Sequence, residues 1–343
     1  MESYWAVKTN GDPISAVQNI VLRFWEQLNI DAMIVPINNN ENNLPKARII
    51  QDTDLIKELN PFKPVMADNS ARLVPEFISN LPDKKIGVLL RPCEINTLIE
   101  LSNIGGFSLL NVFTISFDCL GTLPVADYIW KKKHMSVSQN SNQEFLKFSR
   151  QGGILSYRNR PACQICSSPE AESADLNINI FGLPVRKVLL IKRNGHDKNF
   201  KLDFRKFFYE IAEPDLVEQH KKTTSRIIER NKSTFLRSLK DIEKILPGNV
   251  EELITQFRQC AFCSKASEIC PVCSLLLQKT ENSRDFSRQD MIRWLVTCSG
   301  CGMCETICPE HQSLNVIFKY IRSRMVEESI PLNSLKSKKD FLM

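Results

Sequence analysis

The chain has 343 residues, 43% of them hydrophobic and 24% charged, and carries a net charge of +6. That length allows two or three domains with real cores, and the composition excludes extended disorder. No apolar run approaches the roughly 18 residues of a membrane span, and the start, MESYWAVKTN, lacks the basic and apolar regions of a secretory signal, so the cytoplasm is the expected location.

In chain order, residues 14–28, ISAVQNIVLRFWEQL, repeat apolar positions at helical spacing, with Asp12 placed as N-cap and Pro13 in the first turn. AMIVPI (32–37) reads as a strand. KIGVLL (85–90) has a buried-strand pattern, followed by RPCE as a loop and INTLIEL (95–101) as a helix. The grammar then repeats: NVFTISF (111–117) as strand, DCLGTLP as loop, VADYIWKKK (125–133) as helix. Strand–loop–helix units in succession predict an α/β fold with a parallel sheet and right-handed crossovers. Cys93 and Cys119 then lie just past the carboxyl ends of successive strands, where open α/β sheets bind their ligands.

NINIFGLP and VRKVLLI, within 177–191, predict further strands, and 198–246 reads as mainly helical and charged. Within 221–244, eight Lys/Arg accompany three Asp/Glu, while Ile228, Phe235, Leu239, Ile242 and, just beyond, Leu246 recur at helical spacing. This is an amphipathic helix with a solvated basic side. No nucleic-acid reader fold accompanies the charge, so no nucleic-acid partner is expected. From about residue 250 the chain is helical, cysteine-dense and nearly free of strand signals. The expected organisation is an α/β domain over 1–215, a basic helical linker over 216–249, a helical cluster domain over 250–322 and a loose tail over 323–343. His134, His196, His220 and His311 are scattered and read as ordinary surface histidines, so no catalytic side chain is expected.

Twelve cysteines need an explanation. Several fall in C-x₂-C pairs, a spacing that lets two thiolates converge on one ion or cluster, and nothing signals export to an oxidising compartment. CSGCGMCETICPEH (298–311) is a complete C-x₂-C-x₂-C-x₃-C-P run: Cys298, Cys301, Cys304 and Cys308, then Pro309. Three close thiolates wrap one cluster, Gly300 and Gly302 permit tight backbone, and the fourth cysteine of such a run serves the other cluster of a pair. QCAFCSKASEICPVC (259–273) is the same run with Ala266 in the third position and an added Cys273. Cross-ligation assigns Cys298, Cys301, Cys304 and Cys270 to one 4Fe-4S cluster, and Cys260, Cys263 and Cys308 to another that lacks one thiolate. Either Cys273 replaces it, or the site has three thiolates, as in a 3Fe-4S cluster or with a non-cysteine ligand. Cys93, Cys119, Cys163 and Cys166 remain for a third site, so the twelve thiols divide into three quartets.

RPCEINTLIEL (91–101), DCLGT (118–122), ACQICSSPEAESADLNINIFG (162–182) and the two cysteine runs, in that order, resemble the coenzyme F420 hydrogenase/dehydrogenase beta-subunit family, in particular the beta subunit of F420-dependent formate dehydrogenase. The likeness runs from about residue 12 to 320. It implies an α/β, parallel-sheet flavin and cluster domain followed by a ferredoxin-like two-cluster domain. It further implies FAD, hydride exchange with coenzyme F420 or another hydride carrier, three 4Fe-4S clusters, and a partner catalytic subunit of the formate dehydrogenase alpha, hydrogenase or heterodisulfide-reductase kind. Flavin suits such a converter because it takes two electrons and releases them singly. Gly121 and Thr122, which match the family's Cys-Gly-Gly-Thr-like stretch, and the neighbouring Arg91 become candidate flavin contacts. Where family members carry Gly-Gly-Xaa-Xaa-Thr at the first helix, this chain has Gly11-Asp12-Pro13-Ile14-Ser15-Ala16. Asp12 brings negative charge there and Pro13 removes an N–H.

Two readings compete with the flavoprotein. One is a flavin-less iron–sulfur relay inside a heterodisulfide-reductase-like or hydrogenase complex; the other is a zinc-held scaffold or nucleic-acid-binding module.

Overall fold

The computed structural model describes residues 3–38, 44–134, 146, 148–151, 158–194, 200, 204, 210–261, 263–279, 287–310 and 313–328. His196, His311 and the end of the tail, 329–343, lie outside them. An eight-stranded sheet runs in the order β3 (Pro45–Ile50), β2 (Ala32–Asn38), β4 (Ile86–Leu89), β5 (Val112–Phe117), β6 (Leu176–Asn179), β7 (Val188–Arg193), β1 (Ser3–Lys8), β8 (Glu210–Ile211). The four central strands, β2, β4, β5 and β6, are parallel, which is the expected α/β core. Antiparallel pairs flank them on both sides, β3 on β2, and β7, β1 and β8 beyond β6.

Helix α1 (Pro13–Leu28) starts as its sequence predicts. Asp12 accepts hydrogen bonds from the Ile14 and Ser15 N–H groups, Pro13 opens the helix, and Asn29 closes it in the left-handed region at φ 50°. Its buried positions, Val17, Ile20, Val21, Phe24 and Leu28, form one stripe. That stripe covers one face of the sheet together with Met33, Val35 and Ile37, the alternate residues of β2. The intervening Ala32 and Ile34 face the opposite way, into a second core with α2 (Leu73–Asn80) and α3 (Pro92–Gly105).

The same second core takes in the cysteine-dense helices. After α4 (Val125–His134), the short α5 (Pro161–Gln164) and the long α6 (Pro214–Ile242) come α7 (Val250–Ala261), α8 (Ser264–Ile269), α9 (Pro271–Lys279), α10 (Arg288–Thr297), α11 (Met303–Ile307) and α12 (Leu314–Glu327). Val250, Leu253, Trp294, Leu295, Ile317 and Ile321 share a hydrophobic cluster with Val88, Ile95 and Leu98 of the α/β part. Polar ties reinforce the seam: Arg72 Nη2 donates to the Glu268 and Ile269 carbonyls at 3.0 and 2.9 Å, and Thr97 Oγ1 lies 2.7 Å from Ser299 Oγ. Residues 216–249, expected as a linker, contribute α6, which buries Thr223, Thr224, Ile227 and Asn231 against the α/β part. Ile228, Phe235 and Leu239 of the expected apolar stripe are half-buried. Among the described residues no helix is long and apolar enough to cross a membrane.

Candidate metal centre

Cys93 and Cys119 stand at the carboxyl edge of the adjacent parallel strands β4 and β5. RPCE, expected as a loop, is instead the start of α3: Pro92 occupies the first turn and carries Cys93 with it. Glu94 locks that turn, its Oε2 accepting from the Arg91 N–H at 2.9 Å and its Oε1 from the Ser70 N–H at 2.8 Å.

Cys119 is positioned by its neighbour Asp118, whose carboxylate is buried and fully used. Oδ1 accepts from the Asn177 and Asn179 side-chain amides at 3.0 and 2.9 Å. Oδ2 accepts from the Ile180 and Phe181 N–H groups at 2.7 and 2.9 Å and lies 3.0 Å from His220 Nε2. His220, expected on the surface, is only 1% exposed. Burial disfavours its charged form, but the Asp118 carboxylate outweighs this and raises its pKa, while burial of Asp118 is outweighed by His220 and the backbone N–H groups, which hold the carboxyl below its usual range. Asp118, Glu170 and His220 have ligand atoms within 4.8 Å of one another. The N–H donors already on Asp118, and Lys192 on Glu170 at 3.2 Å, make this trio a buried polar network that holds the Cys119 loop. The sequence signal for it was the pair Asn177 and Asn179, polar in an otherwise buried strand.

Cys163 and Cys166 enter from α5 and its C-terminal end. The Cys163 N–H donates to the Arg160 carbonyl at 2.9 Å, and Asn231 Nδ2 of α6 donates to the Cys166 carbonyl at 2.8 Å. All four thiols of this quartet line one cavity of about 570 Å³. Gly121 lines it too, at φ +90°, where a Cβ would fall 2.3 Å from Asn159 Nδ2.

The residues expected to touch a flavin are engaged here. Arg91 Nη2 donates to the Lys63 and Val65 carbonyls at 2.7 and 3.2 Å, and Nη1 lies 3.7 Å from Cys119 Sγ. Thr122 Oγ1 accepts from Arg160 Nε at 2.8 Å and lies 3.5 Å from Cys163 Sγ. At the start of α1, Asp12 Oδ1 takes the Ile14 and Ser15 N–H groups at 3.0 and 3.2 Å, and Oδ2 takes the Ser15 hydroxyl at 2.7 Å. A helix N-terminus capped by its own carboxylate has little left to offer a phosphate.

The other eight thiols, Cys260, Cys263, Cys270, Cys273, Cys298, Cys301, Cys304 and Cys308, line a second cavity of about 680 Å³ with Ala266 and Trp294. Cys301 lines both cavities. Gly302, at φ +69°, brings this loop against the first quartet: a Cβ there would lie 2.3 Å from Ala162 Cβ, next to Cys163. Within the cavity, burial and the neighbouring Cys298, Cys270 and Cys301 raise the Cys304 thiol, and Cys308 and Cys263 are the neighbours that raise Cys260. Cys270 is raised by its hydrogen bond with Cys273 and by burial, and Trp294 Nε1 donates to Cys273 Sγ at 3.4 Å.

None of the twelve cysteines forms a disulfide. Burial leads, with crowding among the thiols behind it, in pushing Cys166 and Cys260 up to about 11 and Cys301 up to about 12. Thiols gathered this densely stay neutral unless positive charge enters the cavity, and a metal–sulfur core supplies it. Cations already stand beside the thiols. Arg91 acts on Cys119, Arg160 on Cys163, Lys319 on Cys166 and Arg322 on Cys298. Soft sulfur donors in two walled cavities with cationic support fit iron–sulfur clusters.

No family model matches the chain. The beta subunit of F420-dependent formate dehydrogenase 1 from Methanococcus maripaludis is 24% identical over 221 residues, covering 56% of this chain and 55% of that protein, so this match spans about half of the relative's length. The F420-dependent formate dehydrogenase beta subunit from Methanocaldococcus jannaschii is 22% identical over 284 residues, 73% of each. A chain of the F420-reducing NiFe hydrogenase complex from Methanosarcina barkeri aligns with a TM-score of 0.48 at 12% identity, over 69% of this chain and 91% of that one. In sequence the chain is thus similar to beta subunits of F420-dependent formate dehydrogenase, the branch that its motif order resembles.

Proposed function

We propose that the chain is the iron–sulfur electron-transfer subunit of an anaerobic oxidoreductase complex, working between a hydride carrier such as coenzyme F420 and a partner catalytic subunit of the formate dehydrogenase or hydrogenase kind. One observation carries this: twelve cysteines, none in a disulfide, line two adjoining cavities that share Cys301. A 4Fe-4S cluster takes up and releases one electron at a time. Cys93, Cys119, Cys163 and Cys166 would hold the first; Cys270, Cys298, Cys301 and Cys304 the second; Cys260, Cys263, Cys308 and Cys273 the third, with Cys273 replacing the thiolate absent at Ala266. Around them the chain's own residues exclude water and offset negative charge. Arg91, Arg160, Lys319 and Arg322 lie beside the first two quartets, and the Asp118 network fixes the Cys119 loop.

FAD at the hydride end rests on the resemblance. Against the residues it nominated stands their present engagement: Arg91 donates to the Lys63 and Val65 carbonyls, Thr122 accepts from Arg160, and Gly121 packs against Asn159, which leaves them little to offer a flavin. Asp12 at the start of α1 favours the second reading, a flavin-less relay. One preparation decides between them. Anaerobically purified full-length chain is expected to show the broad charge-transfer absorption of iron–sulfur clusters. A superimposed flavin band pair would support the F420-converting subunit, and its absence after gentle isolation the relay. Abundant zinc with little iron and no acid-labile sulfide would overturn both.

A further inference from the structure

Arg160 is a buried cation, 2% exposed, that makes no direct ion pair with a carboxylate among the described residues. The Glu305 carboxyl feels its charge from farther off, while burial favours that carboxyl's neutral form. Its guanidinium is fixed from all sides by neutral groups: Nε donates to Thr122 Oγ1 at 2.8 Å, Nη1 to Met303 Sδ and Nη2 to Met66 Sδ, both at 3.3 Å. Nη2 also lies 3.9 Å from Cys163 Sγ. Met303 and Met66 pack in one cluster with Cys301, and Cys93 packs against it. The guanidinium therefore sits where the first thiol cavity meets the second. A desolvated guanidinium without a direct ion-pair partner is costly unless negative charge arrives beside it. Cys93 and Cys163 of the first quartet and Cys301 of the second are the thiols whose charge acts on it.

We propose that Arg160 is a positioning charge shared by the first two clusters, which stabilises the reduced form of each and thereby sets both potentials from one fixed point. The inference rests on the cluster reading above. Reduction adds one negative charge to a cluster that four thiolates already make anionic. A nearby fixed cation in a low-dielectric site favours the reduced over the oxidised state. Methionine sulfurs suit the surrounding shell because they accept weakly and bring no negative charge of their own. A guanidinium also cannot lose its proton in the working pH range, so the compensation persists whatever the redox state.

The test is a dye-mediated redox titration of the anaerobic full-length chain, followed by electron paramagnetic resonance, with iron and acid-labile sulfide counted in each preparation. Arg160→Gln is expected to retain wild-type iron and sulfide, and to move two of the three midpoints to more negative potential while the third stays in place. Iron retained with no midpoint moved, or with all three moved together, would overturn the shared-charge role while leaving the cluster reading intact. Wild-type chain without iron would overturn the cluster reading and this inference with it. Should Arg160→Gln lose iron, Arg160→Lys decides, because it keeps the charge and gives up the planar fork. Full cluster content in Arg160→Lys, with midpoints near wild type, supports the proposal; loss of iron from the lysine variant as well would show that the hydrogen-bonding geometry, and not the charge, is what the junction requires.

Discussion

The first two quartets, called inner because their cavities meet at Cys301, and the third, called outer and made of Cys260, Cys263, Cys273 and Cys308, are built from the same side chain but not from the same surroundings. Beside the inner thiols lie Arg91, Arg160, Lys319 and Arg322, each held by carbonyl or hydroxyl oxygens in addition to its sulfur neighbour. Lys319 Nζ donates to the Ile165 carbonyl at 2.8 Å, and Arg322 Nη2 to the Cys298 carbonyl at 2.8 Å. In the outer quartet, Cys260 is pushed up by burial, Cys308 and Cys263, and among the described residues no cation acts against that rise. There the alanine at 266 replaces a thiol, and Cys273 is approached by the Trp294 indole N–H. Cations favour the more negative, reduced state of a cluster, so on the proposed three-cluster reading the inner pair would be the easier to reduce and the outer one the harder.

The largest expected effect lies at the inner edge. Asp118→Ala would strand His220, two side-chain amides and two backbone N–H groups around an empty space, at a cost of about 3–5 kcal/mol. The expected readout is a lower thermal midpoint together with loss of the iron held by the first quartet. Loss of stability with all iron retained would mean that the network does not position Cys119.

The outer site comes next. Cys273→Ser is expected to lose about one cluster's worth of iron in three, and adding Ala266→Cys to that variant to restore it, since Ala266 lines the same cavity. An unchanged paramagnetic spectrum in Cys273→Ser would show that the outer site takes only three thiolates. A smaller change is expected from Arg322→Gln: iron content unaltered and one inner midpoint lowered by on the order of 1–3 kcal/mol per electron. An equal shift in the outer midpoint would erase the contrast between the regions.

A last effect, confined to alkaline solution, is a pH dependence of the metal-free chain. Burial first, then neighbouring thiols, raise Cys166 and Cys260 to about 11 and Cys301 to about 12. The folded chain thus binds these protons more tightly than the unfolded chain does. The stability this provides is fully present below the unfolded thiol value, about 8.5, and is lost as pH rises through 11 to 12. Denaturant midpoints of metal-free chain should fall over that window, whereas the loaded chain, whose ligands are already thiolates, should lack this contribution. Metal uptake should release protons for the same reason.

The parallel centre of the sheet was legible because β4 and β5 are short apolar runs, each followed by a helix with clear periodicity. Their carboxyl ends place Cys93 and Cys119 side by side from the sequence alone. β1, β3 and β8 were missed: SYWAVK and PKARII mix charge with apolar residues because they lie on the antiparallel flanks, and β8 has only two residues. The other ten thiols are legible from spacing, since a run such as 298–308 constrains its own geometry locally. His220 is not, because its partner Asp118 is 102 residues away and nothing local reports the pairing. The same holds for Arg160, whose meaning depends on Met66 and Met303, drawn from distant parts of the chain.

Iron and acid-labile sulfide, counted per chain on anaerobically purified full-length protein, test the three-quartet reading most directly. About twelve of each are expected. About eight, or zinc in place of iron, would contradict it.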